Sequence, residues 1–294
     1  VERYERRVVV MEEKCTFNDE NKNCNCILHN KNTNKSLTVF NEAIERIIKE
    51  KKDELILSDI IFPDNFEYQS VFSKHTNIQF IDCEFNKKMI HLNIESICYT
   101  QCHFKNNIWF FDKKDISKTD NIYNLCFDYC TFEEEFNCDF YADNMPRCNI
   151  TALNIQNSTF KKSIKFNKCN INSSYMFSNN TIFGTSDFED ITFKEAYFIR
   201  NKFNDVVSFK QSYFDSFTFK ENTFDKLAIF EDTTFKSKLN LKGNIFKDEK
   251  NFLGIKNENG KSLETANIVN RETARIIKHS FEKLDNIIEA NKFY

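Results

Sequence analysis

From Phe160 to Phe252 a bulky apolar residue returns every five or six positions. The series reads Phe160, Phe166, Ile171, Phe177, Phe183, Phe188, Phe193, Phe198, Phe203, Phe209, Phe214, Phe219, Phe224, Phe230, Phe235, Leu241, Phe246 and Phe252. Neither the helical period of about 3.6 residues nor the strand period of about 2 generates that spacing. It is an internal repeat, and an internal repeat of this length means a stacked array.

The residue two before each bulky position carries a second pattern. One series is small or polar: Ser158, Cys169, Thr181, Asn201, Ser212, Asn222, Thr233 and Asn244, with Ile191 the exception. The interleaved series is bulkier, with Ile164, Tyr175, Val207, Phe217 and Leu239, diluted by Ser186, Ala196 and Ala228. Residues two apart on extended backbone share a face, so both members of each pair point inward. The unit is then ten or eleven residues, and two units make a coil of roughly twenty-one.

Composition sharpens this reading. The chain has 33 Phe but 1 Trp, and only 4 Gly and 2 Pro in 294 residues. So little Gly excludes a glycine-rich phosphate cradle and leaves the turns to Asn and Lys, of which Asn tolerates the left-handed region. Eleven Cys is an odd number. Cys83, Cys102, Cys130, Cys148 and Cys169 each stand two before Phe85, Phe104, Phe132, Ile150 and Ile171. That placement makes them small core residues. With no leader at the start, it points to a reducing, cytoplasmic compartment. No run reaches the roughly 18 apolar residues a membrane span requires, so the chain reads as soluble. Net charge is −3, and the repeat balances to roughly −2. A nucleic-acid binder shows a basic stripe and a DNA mimic a strong acidic excess; neither is present.

Short repeats such as Asp82-Cys-Glu-Phe85, Tyr129-Cys-Thr-Phe132, Asn157-Ser-Thr-Phe160 and Asp232-Thr-Thr-Phe235 resemble those of the pentapeptide-repeat proteins. The resemblance covers about Ile78 to Phe252 and implies a mainly β fold. That fold is a right-handed parallel β-helix, a quadrilateral pentapeptide-repeat solenoid, here with short N-terminal and C-terminal helices. Phe replaces the family's usual inward Leu, and the spacing alternates between five and six. About 175 residues give about eight coils and a rod roughly 40 Å long at strand spacing.

The remaining segments frame the array. Residues 1–35 read as an irregular polar segment, and 36–76 as a helix-strand cap. In the cap Ser36 is the N-cap, Phe40, Ile44, Ile47 and Ile48 share a face, and a strand runs from Glu54 to Phe62 before Pro63. The β-helix is expected over 77–256, interrupted by polar insertions at 112–121 and 133–147. Over 257–294 the ladder stops. Gly260 breaks the chain and Asn270 opens a helix to about Phe293, with Ile277, Phe281, Leu284 and Ile288 as its stripe. That stripe suits either the edge of the last coil or another chain, including a homodimer through the C-terminal helix.

No catalytic, cofactor or metal set is assigned. The five His are His29, His75, His91, His103 and His279, and no two have metal-pair spacing on a helix. His103, between inward Cys102 and Phe104, should face solvent. Cys15, Cys24, Cys26 and His29 offer zinc-type donors without the Cys-x-x-Cys spacing, so the bland reading of an unmetallated tail is preferred. Glu133-Glu134-Glu135 and the acids at Asp187, Glu189 and Asp190 read as solvated loops. The expectation is a non-enzymatic repeat scaffold presenting a β-helical surface to an unidentified protein. A topoisomerase-interacting DNA mimic is the alternative. The resemblance also extends to bacterial members whose helix leads into membrane segments. It implies a cytosolic domain at the inner membrane, tethered beyond Tyr294.

Overall fold

The computed structural model describes residues 26–31, 34–50, 55–72, 76–90, 94–109, 121–139 and 147–294. Three parallel sheets of ten, nine and eight strands run side by side along it. Each strand pairs with the strands one coil before and one coil after. The chain is a β-solenoid of about eight turns, mainly β, with short helices near both ends of the described chain.

One coil shows why this sequence folds so. Ile191 and Phe193, Ala196 and Phe198, Asn201 and Phe203, and Val207 and Phe209 are four inward pairs, all buried. Lys194 and Glu195 mark a corner inside the strand Thr192–Ile199, so the ten-stranded sheet covers two sides and the coil has four. The six-residue step from Ile171 to Phe177 is absorbed at that same corner, whereas those such as Phe203 to Phe209 fall at the corner between the nine- and eight-stranded sheets. At the first of these corners the register between adjacent strands shifts, from Ile171 paired with Phe193 to Tyr175 paired with Ala196. A one-residue bulge keeps both flanking pairs inward.

Inside, rings stack at strand spacing. Phe62, Phe85, Phe104, Phe132 and Phe160 form a near-parallel column with centroids 5.0, 4.8, 5.0 and 4.3 Å apart. Phe166, Phe188, Phe209, Phe230 and Phe252 form another, at 5.8, 5.3, 5.1 and 4.9 Å. Between columns the rings meet edge to face, as in Phe198 against Phe209 at 5.1 Å. Both arrangements suit the aromatic quadrupole.

The small-residue column is a hydrogen-bonded ladder. Cys83, Cys102 and Cys130 donate their thiol protons to carbonyls of Leu57, Phe80 and Tyr99 at 3.4, 3.5 and 3.4 Å. Ser158, Asn180, Asn201, Asn222 and Asn244 continue the column. The Asn180, Asn201 and Asn222 amides each donate to a carbonyl of the preceding coil, Ile155, Phe177 and Phe198. Buried polar groups thus find partners between coils.

Four expectations need correction. Ile182, not Phe183, takes the inward place: Ile182 is fully buried and Phe183 is 56% exposed. Pairing of Ile182 with Phe160 and Phe203 puts Asn180, not Thr181, on the ladder. A shift by one would turn Asn180 outward and break four amide bonds, so the ladder sets the register. Second, the sheet begins at Leu55–Ser58, which pairs with Asn77–Ile81. The single strand expected to Phe62 is two strands of a first coil, split at Asp59 with φ 60°. Residues 26–30 also dock there, with Ile61 N–H donating to the Leu28 carbonyl. Third, Asn does not dominate the corners. Positive φ falls on Asp82, Gln101, Tyr129, Asn157, Asn179, Arg200 and Glu221 at one corner, and on Lys168, Asp190, Gln211 and Asp232 at another. Apart from Glu221, these N–H groups serve the next coil, as Gln101 does the Asp128 carbonyl at 2.8 Å. That bonding offsets a left-handed cost of roughly 1–2 kcal/mol.

The fourth correction concerns the C-terminal helix. Helix α1 (Leu37–Glu50) and the short α2 (Tyr68–Phe72) close the N-terminal side, with Phe40 and Ile44 fully buried. On the other side α3 spans Arg271–Lys283, and α4 spans Ile287–Ala290. Asn270 caps α3 by accepting from Thr273 N–H, as its position suggested. The helix does not run on to Phe293. Asp285 turns left-handed at φ 53°, while Asn286 N–H reaches the Phe281 carbonyl and Asp285 N–H that of Glu282. These two bonds are a Schellman stop, built without glycine.

Gly184 shows how close the coils approach. A Cβ there would sit 2.6 Å from the Lys162 carbonyl carbon and 2.7 Å from Ser163 N. Both are backbone and cannot swing aside. We expect Gly184→Ala to cost about 1–3 kcal/mol, read as a lower midpoint in urea. An unchanged midpoint would mean that the two coils separate easily.

Candidate surface at the C-terminal cap

The outward face of the solenoid is charge-paired from coil to coil. Lys105 meets Glu84 at 2.5 Å, Lys194 and Lys236 clamp Asp215 at 2.6 and 2.7 Å, and Lys247 meets Asp225 at 2.7 Å. Arg147 pairs with Asp190. Lys194 and Lys236 hold the Asp215 carboxyl below the usual carboxylate range. Pairs this exposed contribute little to stability, but they cancel the local field.

The residues singled out for chemistry are distributed through this pattern. His103 faces outward as expected, but its Nε2 is 2.7 Å from Glu133 Oε1, which also binds Lys161. Lys161 first, then His103, hold the Glu133 carboxyl below its ordinary range. Glu189 accepts from the Ser208 hydroxyl at 2.6 Å. His279 lies 3.9 Å from Glu282 on α3. Of the zinc-type donors, Cys15 and Cys24 lie outside the described residues, as do His75, His91, most of 112–121 and the middle of 133–147. Cys26 Sγ and His29 Nδ1 are 2.9 Å apart. Burial first, then nearby Lys35, lowers the His29 pKa to about 4. Lys35 was not singled out in the sequence, yet it is buried and donates to the Leu28 and Ile61 carbonyls at 3.0 and 2.6 Å. Burial lowers its pKa to about 8. The Lys35 ammonium and the Leu28 carbonyl fasten residues 26–31 and Lys35 to the first coil. Among the described residues, no three His, Cys, Asp or Glu are placed to hold a metal ion together. No helix among them is long and apolar enough to cross a membrane.

A second kind of surface, apolar and unpaired in charge, is at the C-terminal cap. Ile277 and Phe281 bury against the last coil, and α3 is tied down by Thr273 Oγ1 accepting from Leu241 N–H at 2.8 Å. The Ser280 hydroxyl donates to the Lys250 carbonyl at 2.5 Å. These bonds and side chains cover the sheet edge that an open array must protect. The other half of the expected stripe is turned away by the stop at Asp285. Leu284, Ile287 and Ile288 are 54%, 56% and 79% exposed. Beside them a cavity of about 260 Å³ opens between Leu253, Ile255, Leu263, Phe281, Asn286 and Glu289. Leu253 is itself exposed. The apolar periodicity of this segment is plain in the sequence, but the Asp285-Asn286 pair that ends the helix leaves only a weak signal. Comparison with protein-family models, curated proteins and solved structures finds no match.

Proposed function

We propose that this chain is a non-enzymatic interaction scaffold of the pentapeptide-repeat type, whose C-terminal cap docks a second copy of itself. The observation that carries the proposal is the run of exposed Leu284, Ile287 and Ile288, next in sequence to Asn286 and Glu289 of the cavity that exposed Leu253 also lines. The cap on the other side buries the anchors of its helix, Phe40 and Ile44, completely. Around the exposed run stand Lys283, Asp285 and Glu289, charges of both signs. A two-fold contact brings each residue against its equivalent's neighbours, so such a mixed rim is self-complementary. The resemblance adds a place at the cytosolic face of a membrane, testable by flotation with anionic vesicles. Pairing of the rod's acids with lysines weighs against a DNA mimic.

Sedimentation equilibrium tests the docking. The chain should be dimeric at tens of micromolar, and Leu284→Glu with Ile288→Glu should make it monomeric with an unchanged thermal midpoint. A monomeric parent chain, or a dimer that survives both substitutions, would overturn the reading.

A further inference from the structure

Two cysteines stand apart from those of the core. In Ser96–Thr100 the buried residues are Ile97 and Tyr99, and in Asn121–Asp128 they include Leu125 and Phe127. Cys98 and Cys126 lie between these on the outward face, both half-buried, and they are direct register partners on neighbouring strands. Neighbouring strands lie about 4.8 Å apart, which falls within the roughly 4.4–6.8 Å between Cα atoms that a disulfide spans. Along the same outward column their neighbours are Gln79 on one side and Asn154 on the other, both uncharged.

We infer that Cys98 and Cys126 form a surface dithiol that hydroperoxides oxidise to a disulfide linking two successive coils. Two outward thiols in register, with no intervening side chain, carry the assignment. Their proton sharing gives them different tasks. A hydrogen bond from Cys126, with help from Thr100, lowers the Cys98 pKa to about 7 despite burial. The same bond, with burial, pushes the Cys126 thiol up. The Thr100 hydroxyl lies 3.9 Å from the Cys98 sulfur, so the attack is assigned to Cys98 and the resolving step to Cys126, the arrangement redox-sensitive cysteines share.

The chemistry balances in two steps. The Cys98 sulfur attacks the peroxide oxygen, an S–O bond forms, and the O–O bond breaks. Cys98 becomes a sulfenic acid and the hydroperoxide leaves as an alcohol, or as water when the oxidant is hydrogen peroxide. The Cys126 sulfur then attacks the Cys98 sulfur. The S–S bond forms, the S–O bond breaks, and the departing oxygen carries the Cys126 proton away as water. The two cysteines are oxidised by two electrons and the peroxide is reduced by two. A thiol pool of the compartment reverses the step by exchange.

The core cysteines make an internal contrast. Cys83, Cys102 and Cys130 are 1% exposed, and burial pushes the thiols of Cys83 and Cys102 well up. Cys138 and Cys169 approach to 3.8 Å, as close as a second pair, but lie wholly inside the core. Peroxide reaches neither set without unfolding.

The test uses the whole chain, hydrogen peroxide and peptide mapping after denaturing alkylation. The thiol count should fall by two per chain, a peptide linking Cys98 to Cys126 should appear, and dithiothreitol should restore both thiols. With Cys126→Ser the count should fall by one, and dimedone should label Cys98. With Cys98→Ser, dimedone should leave Cys126 unlabelled. Full alkylation of Cys98 and Cys126 after peroxide, or loss confined to other cysteines, would overturn the inference. Dimedone labelling of Cys126 in Cys98→Ser, with none of Cys98 in Cys126→Ser, would overturn the assignment of roles.

Discussion

Replacing Phe203 by alanine is expected to lower the free energy of unfolding by about 3–5 kcal/mol. The ring is 1% exposed, stands in register between Ile182 and Phe224, stacks on Phe224 at 5.3 Å and lies 6.2 Å from Phe177 of the neighbouring column. Deleting it forfeits roughly 1.5–3 kcal/mol of burial and leaves a cavity that rigid coils above and below cannot close. In a stacked array each coil is supported only by its neighbours, so a mid-array void weakens two interfaces at once. Phe246 belongs to the same column but is only partly buried, stacked on Phe224 at 4.7 Å. Its alanine variant should therefore cost clearly less. Guanidinium titration of both variants checks this. Equal costs would mean that the stack does not behave as a column.

Asn201→Leu should cost as much, about 3–5 kcal/mol, although leucine is more apolar and similar in size. The Asn201 amide donates to the Phe177 carbonyl at 2.7 Å and to Asn222 Oδ1 at 3.0 Å. Its oxygen accepts from Asn180 N–H at 3.0 Å and from Asn180 Nδ2 at 3.1 Å. Leucine leaves the groups on both neighbouring coils buried without partners, each worth about 1–3 kcal/mol, and such losses do not simply add. Asn201→Ser should recover part of the loss. Ser158 already serves this column, its hydroxyl accepting from Cys130 N–H at 3.0 Å. A leucine variant as stable as the parent chain would mean that water reaches the ladder.

These two substitutions separate the roles of the two inward columns. The aromatic column supplies burial, which is non-directional. The polar column supplies register, because an amide bonds only where its partner stands. At 180–183 the two columns disagree: ring burial alone would favour Phe183, and the amide ladder favours Ile182. The structure follows the ladder, leaving Phe183 exposed. Counting Phe residues could not reveal that, since the deciding bonds run to Ser158 and Asn201, each about one coil away in sequence.

The candidate surface was legible in the same partial way. The period of Ile277, Phe281, Leu284 and Ile288 marked an apolar face but not which half would be covered. The last coil has room for Ile277 and Phe281, and the Asp285 turn diverts the rest. Likewise Cys98 and Cys126 sit 28 positions apart in sequence. Only the strand pairing, with an insertion between them, makes them neighbours.

By itself the sequence determined the repeat, the coil of about twenty-one residues, the inward Cys and Asn, and the absence of a strong charge bias. All are periodic properties, which the chain writes many times over. The tertiary structure decided the events that occur once: where the first coil begins, which residue yields at 182, where the last helix stops and which thiols meet. The helix stop is local, set by Asp285 and Asn286 bonding back to Glu282 and Phe281; the other three depend on contacts between residues about a coil or more apart, which no local period encodes.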